Sequence, residues 1–224
     1  RVVGEVRFDN VSRSLYSTDA SIYQMEPIGV VIPQNKDDVL AVMEIARTYN
    51  VPVLPRGAGT SLAGQTVNCA IVVDFTKYMN EILEVNPVEK WARVQPGVVL
   101  SALNSEVESY GLHFTPDPST ANRACIGGAI GNNTCGAHSI LYGKTIDHVM
   151  ELKLILANGQ LIIAKPRTPE EVAKIETNGD LEAAIYRQGR LLARNHASEI
   201  QNRFPKILRR VSAYNLDTLS QEGA

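Results

Sequence analysis

The chain has 224 residues and a formal net charge of −2; 44% of its residues are hydrophobic and 21% are charged. These proportions are ordinary for a globular protein, and the length allows a sizeable core. Because the chain has no general excess of positive charge, nucleic acid is not an expected partner. No apolar run reaches the roughly eighteen residues that a membrane-spanning helix needs, so we do not expect the chain to span a membrane.

Cysteine usage indicates the redox setting. Cys69, Cys125 and Cys135 form no C-x-x-C pair and have no nearby pair of histidines. This pattern argues against a disulfide framework and against a zinc site, and it is typical of reduced thiols. We therefore expect no metal and a cytoplasmic location, either in solution or peripheral to the membrane.

The first part of the chain predicts a strand–helix–strand unit. Residues 29–33 (GVVIP) and 51–55 (VPVLP) are short apolar runs typical of buried strands. Residues 35–50 between them have helical apolar spacing, with Asn35 as the expected N-cap. The two strands should be parallel and covered by the crossover helix. Residues 70–75 (AIVVDF) predict a third strand.

From residue 82 the pattern changes. ILEV and WARVQPG predict paired strands with Asn86-Pro87 in the turn between them. Residues 100–110 then have helical apolar spacing, and Gly111 is placed to end that helix.

The rest of the chain divides into a loop, a hairpin and a helical tail. Residues 115–145 are rich in Gly, Asn, Ser and Pro and predict a long loop, which in a compact domain is usually functional. Residues 150–164 predict a hairpin about Asn158-Gly159. Thr168 and Glu171 predict a capping-box helix. Further helical apolar spacing involves Ile185, Leu191, Leu192, Ile200, Phe204, Ile207, Leu208 and Val211.

The stretch from Pro55 to Thr66 (PRGAGTSLAGQT) is the first candidate site. Gln65 stands where the nucleoside-triphosphate loop G-x-x-x-x-G-K-[ST] has the lysine that reaches the outer phosphates. The dinucleotide pattern G-x-G-x-x-G also fails, because Leu62 takes the third glycine's place and the next glycine is Gly64. The small residues still allow a concavity of backbone N–H groups that binds a diphosphate. A plain surface turn is the alternative.

A second glycine cluster follows in residues 126–133 (IGGAIGNN), after an extended entry fixed by the prolines of PDPST. Two such segments on two lobes suit one elongated ligand between them, and a pyrophosphate-linked dinucleotide has that shape. Alternatively, glycines simply let two packed backbones approach each other. Composition alone does not name the ligand.

Five motifs resemble, in order, the FAD-binding domain of the vanillyl-alcohol oxidase and p-cresol methylhydroxylase type. They are YSTDASIY, PRGAGTSLAGQ, PDPST, IGGAIGNNTCGAHSILYGKTIDHV and ELKLILANGQL. The chain is most similar to the FAD-linked oxidases that act on D-2-hydroxy acids, such as glycolate oxidase and D-lactate dehydrogenase. The resemblance covers about residues 12–165, with RRVSAYNLD near the end.

The resemblance implies a two-lobed α+β fold that holds FAD between its lobes and continues into a helical C-terminal segment. The FAD-binding domain would span residues 1–165, with lobes of about 25–85 and 86–165, and residues 166–224 would be a helical connector. The first loop would bind the pyrophosphate through backbone amides. The implied cofactor-binding residues are Arg56, Gly57, Ala58, Gly59, Thr60, Ser61, Gly64, Pro116, Asp117, Pro118, Ser119, Gly127, Gly128, Asn132, Asn133, Gly136, Ser139, Tyr142, Gly143 and Val149.

Where the sequence departs from the family pattern, we expect differences from the family's properties. Members that tether the flavin through the first loop have a histidine where this chain has Thr60, so FAD should be non-covalent. Ala213 stands where the family usually has glycine. The chain starts at Arg1 and stops before the family's next motif and its substrate domain, so we expect a piece of a longer protein that by itself binds FAD weakly or not at all.

The activity that the resemblance implies is oxidation of a D-2-hydroxy acid such as lactate, glycolate or 2-hydroxyglutarate, by hydride transfer to FAD. The electron acceptor would be a quinone, an electron-transfer flavoprotein or an iron–sulfur protein. A non-catalytic FAD-binding or scaffold subunit is the alternative. His138 and His148 flank the second loop and could approach a ligand, but the sequence assigns no catalytic residue.

Overall fold

The computed structural model describes residues 1–207, 210 and 214–219. The chain forms two compact units, Arg1–His148 and Val149–Ala224. The boundary that the sequence predicts between the FAD-binding domain and its connector, at 165/166, stays a prediction.

A four-stranded sheet organises the first unit. Its strands are β1 (Glu5–Arg7), β2 (Gly29–Ile32), β3 (Val53–Arg56) and β4 (Ile71–Asp74), in the order β1-β2-β4-β3. Strands β2 and β3 both run parallel to β4, whereas β1 is antiparallel to β2. The predicted strand–helix–strand unit is confirmed, and the third predicted strand, β4, lies between the other two.

Both faces of this sheet are covered, which explains the continuous apolar runs of its strands. Val30, Ile32 and Val72 form one buried cluster, while Val31 and Val73 pack with Val42 in another. Val42 belongs to the crossover helix α2 (Lys36–Thr48), which follows α1 (Asn10–Leu15). Asn35 caps α2 as predicted, with its side chain accepting from the backbone N–H groups of Asp37 and Asp38.

The second part of this unit is built on a hairpin and a helix. Strands β5 (Ile82–Asn86) and β6 (Trp91–Val94) pair antiparallel, and α3 (Leu100–Val107) continues into a 3-10 turn that ends at Gly111. Gly111 has a φ of +68°, the left-handed conformation that favours glycine at a helix end. Each of these elements was predicted.

Residues 115–145 form no single element, as expected, but they contain short helices that the composition does not reveal. These are α4 (Ile126–Gly131) and α5 (Ser139–Tyr142), followed by a 3-10 turn at Thr145–His148. Hydrogen bonds to residues outside this segment fix the start of α4. The N–H groups of Ile126 and Gly127 donate to the carbonyls of Val98 and Pro96 at 2.8 Å.

The second unit holds the predicted hairpin and helical tail. Its elements are β7 (Leu152–Ile155), β8 (Leu161–Ala164), α6 (Pro169–Glu176), α7 (Leu181–Asn195), α8 (Ala197–Arg203) and α9 (Leu216–Leu219). The capping box of Thr168 and Glu171 is confirmed. No helix of the described residues is both long and apolar enough to cross a membrane.

One helical prediction in this unit is wrong. The apolar spacing extends the last long helix through Phe204 and Ile207, but α8 ends at Arg203 and Phe204 is extended. Pro205 explains the difference, because a residue before proline is driven out of the helical conformation. Leu208 and Val211 lie outside the described residues.

A buried carboxylate ties the N-terminal strand to α2. The Asp38 side chain accepts from the backbone N–H groups of Val3 at 2.6 Å, Gly4 at 2.9 Å and Gln34 at 2.9 Å. Burial raises the pKa of the Asp38 carboxyl, but these hydrogen bonds outweigh burial and hold the pKa below its ordinary value. The carboxylate is therefore ionised and fully hydrogen-bonded at neutral pH.

Replacing Asp38 by Asn turns one accepting oxygen into a donor that faces backbone N–H groups. We expect D38N to lower the free energy of unfolding by about 2–3 kcal/mol in urea denaturation at pH 7. The exposed neighbour gives the control D37N, which should lose less than about 1 kcal/mol. Because the folded pKa of Asp38 is depressed, the difference between wild type and D38N should shrink as the pH falls below about 4. Equal losses in the two variants would contradict this role.

Candidate functional site

A cleft of about 520 Å³ opens in the first unit at the C-terminal ends of β3 and β4. In sheets with parallel strands, this edge is where ligands commonly bind. Five chain segments contribute its lining: Leu15, Tyr16, Arg56, Gly57, Ala58, Asp74, Thr76, Asn80, Gly97, Val99, Ala102, Arg123 and Cys125. The cleft therefore joins the first predicted loop to the residues that precede the second.

Unused backbone donors mark the first loop, residues 57–66. Within the described part of the chain, the N–H groups of Gly59, Thr60 and Ser61 have no hydrogen-bond acceptor. Gly59 and Ser61 are buried, and a buried donor without an acceptor is costly. Successive N–H groups of this kind bind anions without any charged side chain. The loop thus fits a diphosphate, as its sequence predicts.

Glycines are required in this loop for two different reasons. Gly59 has a φ of +68°, which side chains rarely adopt. Gly57 lies against Cys125, since a Cβ at position 57 would come within 3.2 Å of the Cys125 Cβ and 3.4 Å of its Sγ. Cys125 directly precedes α4, so Gly57 brings the first loop into contact with the start of the second glycine cluster.

A clamp formed by Arg56 and residues 16–21 holds the first loop in place. The Arg56 guanidinium donates to the carbonyls of Thr18 at 2.8 Å, Thr66 at 2.9 Å and Tyr16 at 3.2 Å. The Asp19 carboxylate accepts from both the N–H and the hydroxyl of Thr66. The motif YSTDASIY is therefore a support for the loop. Arg56 lines the cleft, but its side chain is engaged in fixing the backbone.

The cleft contains the carboxylate of Asp74, which accepts two hydrogen bonds, and three partly buried side chains whose pKa values are shifted by burial. The Tyr16 hydroxyl donates to Asp74 Oδ2 at 2.5 Å, and the Thr76 N–H donates to Asp74 Oδ1 at 2.8 Å. Burial and the Asp74 carboxylate raise the pKa of Tyr16, so the phenol stays protonated. Burial also raises the pKa of the Cys125 thiol, which keeps it neutral, and lowers the pKa of Arg56.

A second cluster is formed by the PDPST segment and the residues after α4. Asp117 accepts from the His138 N–H at 3.1 Å and contacts His138 Nδ1 at 2.5 Å. A Cβ on Gly136 would lie 2.1 Å from Asp117 Oδ1, so only glycine allows this approach. The Gly136 N–H donates to the Ser139 hydroxyl at 3.0 Å.

The structure brings some predicted residues together and leaves others apart. Arg56, Gly57 and Ala58 line the cleft, and Gly127 is close to it through its contact with Pro96. Asn133 accepts from the Ile146 N–H, while its own Nδ2 is buried without a partner among the described residues. Gly59, Thr60 and Ser61 directly follow the lining residue Ala58 but are not themselves part of the lining. The other predicted residues outside the cleft lining are Gly64, Pro116, Asp117, Pro118, Ser119, Gly127, Gly128, Asn132, Asn133, Gly136, Ser139, Tyr142 and Gly143; Val149 begins the second unit.

Sequence reasoning missed several cleft residues. Tyr16 and Asp74 belong to segments with recognised patterns, but nothing in those patterns shows that the two side chains meet. Arg123 and Cys125 stand just before IGGAIG, and that position next to a glycine cluster was the available signal.

Comparison with known proteins identifies the domain. A family model described as an FAD binding domain matches residues 27–165. The chain belongs to this family of FAD-binding domains. The predicted α+β fold of the vanillyl-alcohol oxidase type is confirmed by this match and by the solved structures. For example, 6-hydroxy-D-nicotine oxidase from Arthrobacter nicotinovorans superposes with a TM-score of 0.66 at 20% identity, covering 77% of this chain and 38% of that one.

Relatives of this FAD-binding domain are oxidoreductases by name. D-2-hydroxyglutarate dehydrogenase of Pseudomonas putida is 37% identical over 222 residues, which are 98% of this chain and 22% of that protein. Glycolate oxidase subunit GlcD of Bacillus subtilis is 39% identical over 178 residues, which are 77% of this chain and 38% of that protein. The chain thus spans about a fifth to two fifths of the length of these relatives.

Replacing Arg56 by Met should release the clamp. We expect a loss of about 2–4 kcal/mol in the free energy of unfolding, because three carbonyls lose a charged donor. In limited proteolysis, residues 57–66 should become the first cleavage site. R47M, which removes an exposed arginine in the last turn of α2, should change stability by less than about 0.5 kcal/mol. A similar loss in R47M, or an uncut loop in R56M, would show that the clamp is not needed.

Proposed function

We propose that this chain is the FAD-binding part of a flavin-dependent dehydrogenase that oxidises a D-2-hydroxy acid. The observation that carries the proposal is the row of unused backbone donors at Gly59, Thr60 and Ser61 beside the cleft, in a chain that belongs to the FAD-binding domain family. The names of its relatives, D-2-hydroxyglutarate dehydrogenase and glycolate oxidase subunit GlcD, support the substrate class.

The residues present suit an FAD pyrophosphate. The N–H groups of residues 59–61 would hold it, and the Arg56 clamp would keep those donors in place. FAD supplies the hydride acceptor, while the protein binds and orients it. The predicted residues of the second loop and of PDPST would hold the rest of the cofactor, in lobes of about 25–85 and 86–165. Residues 166–224 would form the connector.

Binding would be non-covalent, because Thr60 offers no imidazole for a flavin tether. Two parts of this proposal rest on the sequence alone. One is the electron acceptor, which would be a quinone, an electron-transfer flavoprotein or an iron–sulfur protein. The other is the cytoplasmic setting.

A pair of glycines with the same backbone conformation tests the loop. Gly59 and Gly111 both have a φ of +68°, and no neighbouring atom lies within 4 Å of a Cβ built on Gly111. G111A should therefore cost about 1–2 kcal/mol of stability. G59A should cost more, because its Cβ would also lie 2.6 Å from Arg56 Nη2 and displace that guanidinium. In the longest protein that carries this chain, only G59A should also weaken FAD binding, by at least about tenfold, the worth of one charge-assisted hydrogen bond. Calorimetric titration of FAD into both apo-proteins measures the difference. Equal FAD affinities would remove the loop from the cofactor site.

The reaction itself is tested on the same long protein after reconstitution with FAD. Anaerobic addition of D-2-hydroxyglutarate, D-lactate or glycolate should bleach the oxidised flavin absorption, and L-2-hydroxyglutarate is the stereochemical control. Acid precipitation should release all flavin and leave a protein of unmodified mass. A protein that never binds FAD would favour the non-catalytic subunit, and flavin that remains on the precipitate would contradict non-covalent binding.

A further inference from the structure

The cleft contains one arginine whose charge the protein does not use. Two positively charged residues, Arg56 and Arg123, belong to its lining. Arg56 is engaged in the clamp, where its guanidinium donates to three backbone carbonyls. Within the described part of the chain, the Arg123 guanidinium is exposed and has neither a hydrogen-bond acceptor nor an ion-pair partner. Because arginine is always protonated in proteins, Arg123 brings a full positive charge to the cleft.

The backbone that carries Arg123 is held on two sides. The carbonyl of Thr120 accepts from the N–H groups of Arg123 at 2.8 Å and Ala124 at 2.7 Å, which closes a turn. The start of α3 holds the other side, since the N–H of Leu100 donates to the carbonyl of Ala124 at 3.0 Å. The position of Arg123 in the cleft lining is therefore fixed by the fold.

The same backbone contacts the first loop. Cys125, two residues after Arg123, lies against Gly57, where an added Cβ would come within 3.2 Å of the Cys125 Cβ. The Cys125 thiol also donates to the Arg123 carbonyl at 3.6 Å. Ala58 lines the cleft after Gly57, and Gly59 is the first of the three residues with unused N–H groups. Arg123 and these donors thus flank one contact between two segments.

The carboxylate of the cleft does not neutralise Arg123. Asp74 Oδ2 accepts from the Tyr16 hydroxyl at 2.5 Å, and Asp74 Oδ1 accepts from the Thr76 N–H at 2.8 Å. Both oxygens are therefore engaged, and no ion pair joins Asp74 to Arg123 among the described residues. Because Asp74 repels an anion, the favourable place for one is beside Arg123 and the unused N–H groups, where a full charge and backbone dipoles act together.

We propose that Arg123 is the cation that pairs with the pyrophosphate of FAD. This inference rests on the proposed function. At neutral pH the pyrophosphate carries the negative charge of FAD, and three backbone N–H groups offer only partial charges to it. A guanidinium binds phosphate oxygens through two parallel N–H donors, and such charge-assisted bonds are stronger than those from neutral donors. The positive charge that the first loop lacks at Gln65 thus comes from a different segment of the chain.

Titration of FAD into the apo-form of the longest protein that carries the chain tests this role. At about 20 mM KCl, R123Q should raise the FAD dissociation constant at least about tenfold, the worth of one charge-assisted hydrogen bond. The ratio of the R123Q and wild-type constants should shrink as KCl rises to about 0.5 M, because salt screens a charge pair. R123K keeps the charge but loses the paired donors, so its constant should lie between the two.

Two controls separate an effect of charge from an effect on the fold. R47Q removes an exposed arginine from the last turn of α2 and should keep the wild-type FAD dissociation constant at every salt concentration. Since the Arg123 guanidinium has no partner within the described residues, R123Q should unfold at the same urea concentration as wild type.

The outcomes distinguish this role from the proposed function. If wild type binds FAD and R123Q binds it equally well at low salt, the role of Arg123 is overturned and the proposed function stands. The role is also overturned if R123Q weakens binding by the same factor at every salt concentration, or lowers the urea midpoint, because the residue then acts through the fold. If the wild-type apo-protein does not bind FAD at all, the proposed function fails, and the role of Arg123 fails with it.

Discussion

The contact on which the site depends is the one between the Arg56 guanidinium and three backbone carbonyls. Tyr16 and Thr18 lie 40 and 38 residues before Arg56, and Thr66 lies 10 residues after it, yet a single planar cation with several donors satisfies all three carbonyls. Because Arg56 is the last residue of β3, the sheet fixes one end of this contact. The N–H groups of Gly59, Thr60 and Ser61 in the loop that follows can then stay without acceptors among the described residues, since the loop's conformation does not depend on those groups.

This arrangement explains why the loop has no lysine. In the nucleoside-triphosphate loop a lysine neutralises the outer phosphates, whereas here the positive charge next to the loop is used to hold backbone. What remains for a ligand is a set of fixed dipoles, which suits a diphosphate buried between two nucleoside-like halves better than a solvent-facing triphosphate with its metal. Gly57, packed against Cys125, joins this loop to the start of α4.

Local signals were sufficient for most elements. The apolar runs of β2 and β4, the Asn35 cap of α2 and the capping box at Thr168 depend on residues a few positions apart, so they can be predicted from sequence. Predictions were wrong or incomplete where the start or end of a helix is set by a proline or by a group distant in sequence. Pro205 ends α8 against the apolar spacing, and α4 forms in a glycine-rich stretch because the carbonyls of Pro96 and Val98 accept its first N–H groups.

By itself, the sequence determined the order of β2 to β8 and of the longer helices, the two glycine clusters and, through its motifs, the family and FAD as the cofactor. Those features follow from residue type and short-range spacing. The tertiary structure alone decided which groups meet: Arg56 with the carbonyl of Tyr16, 40 residues away, and Asp117 with His138, 21 residues away. Such contacts depend on the positions that loops take at the edge of the sheet and on the distant residues that bind those loops. No local pattern encodes that placement, because each loop takes its conformation from partners elsewhere in the chain.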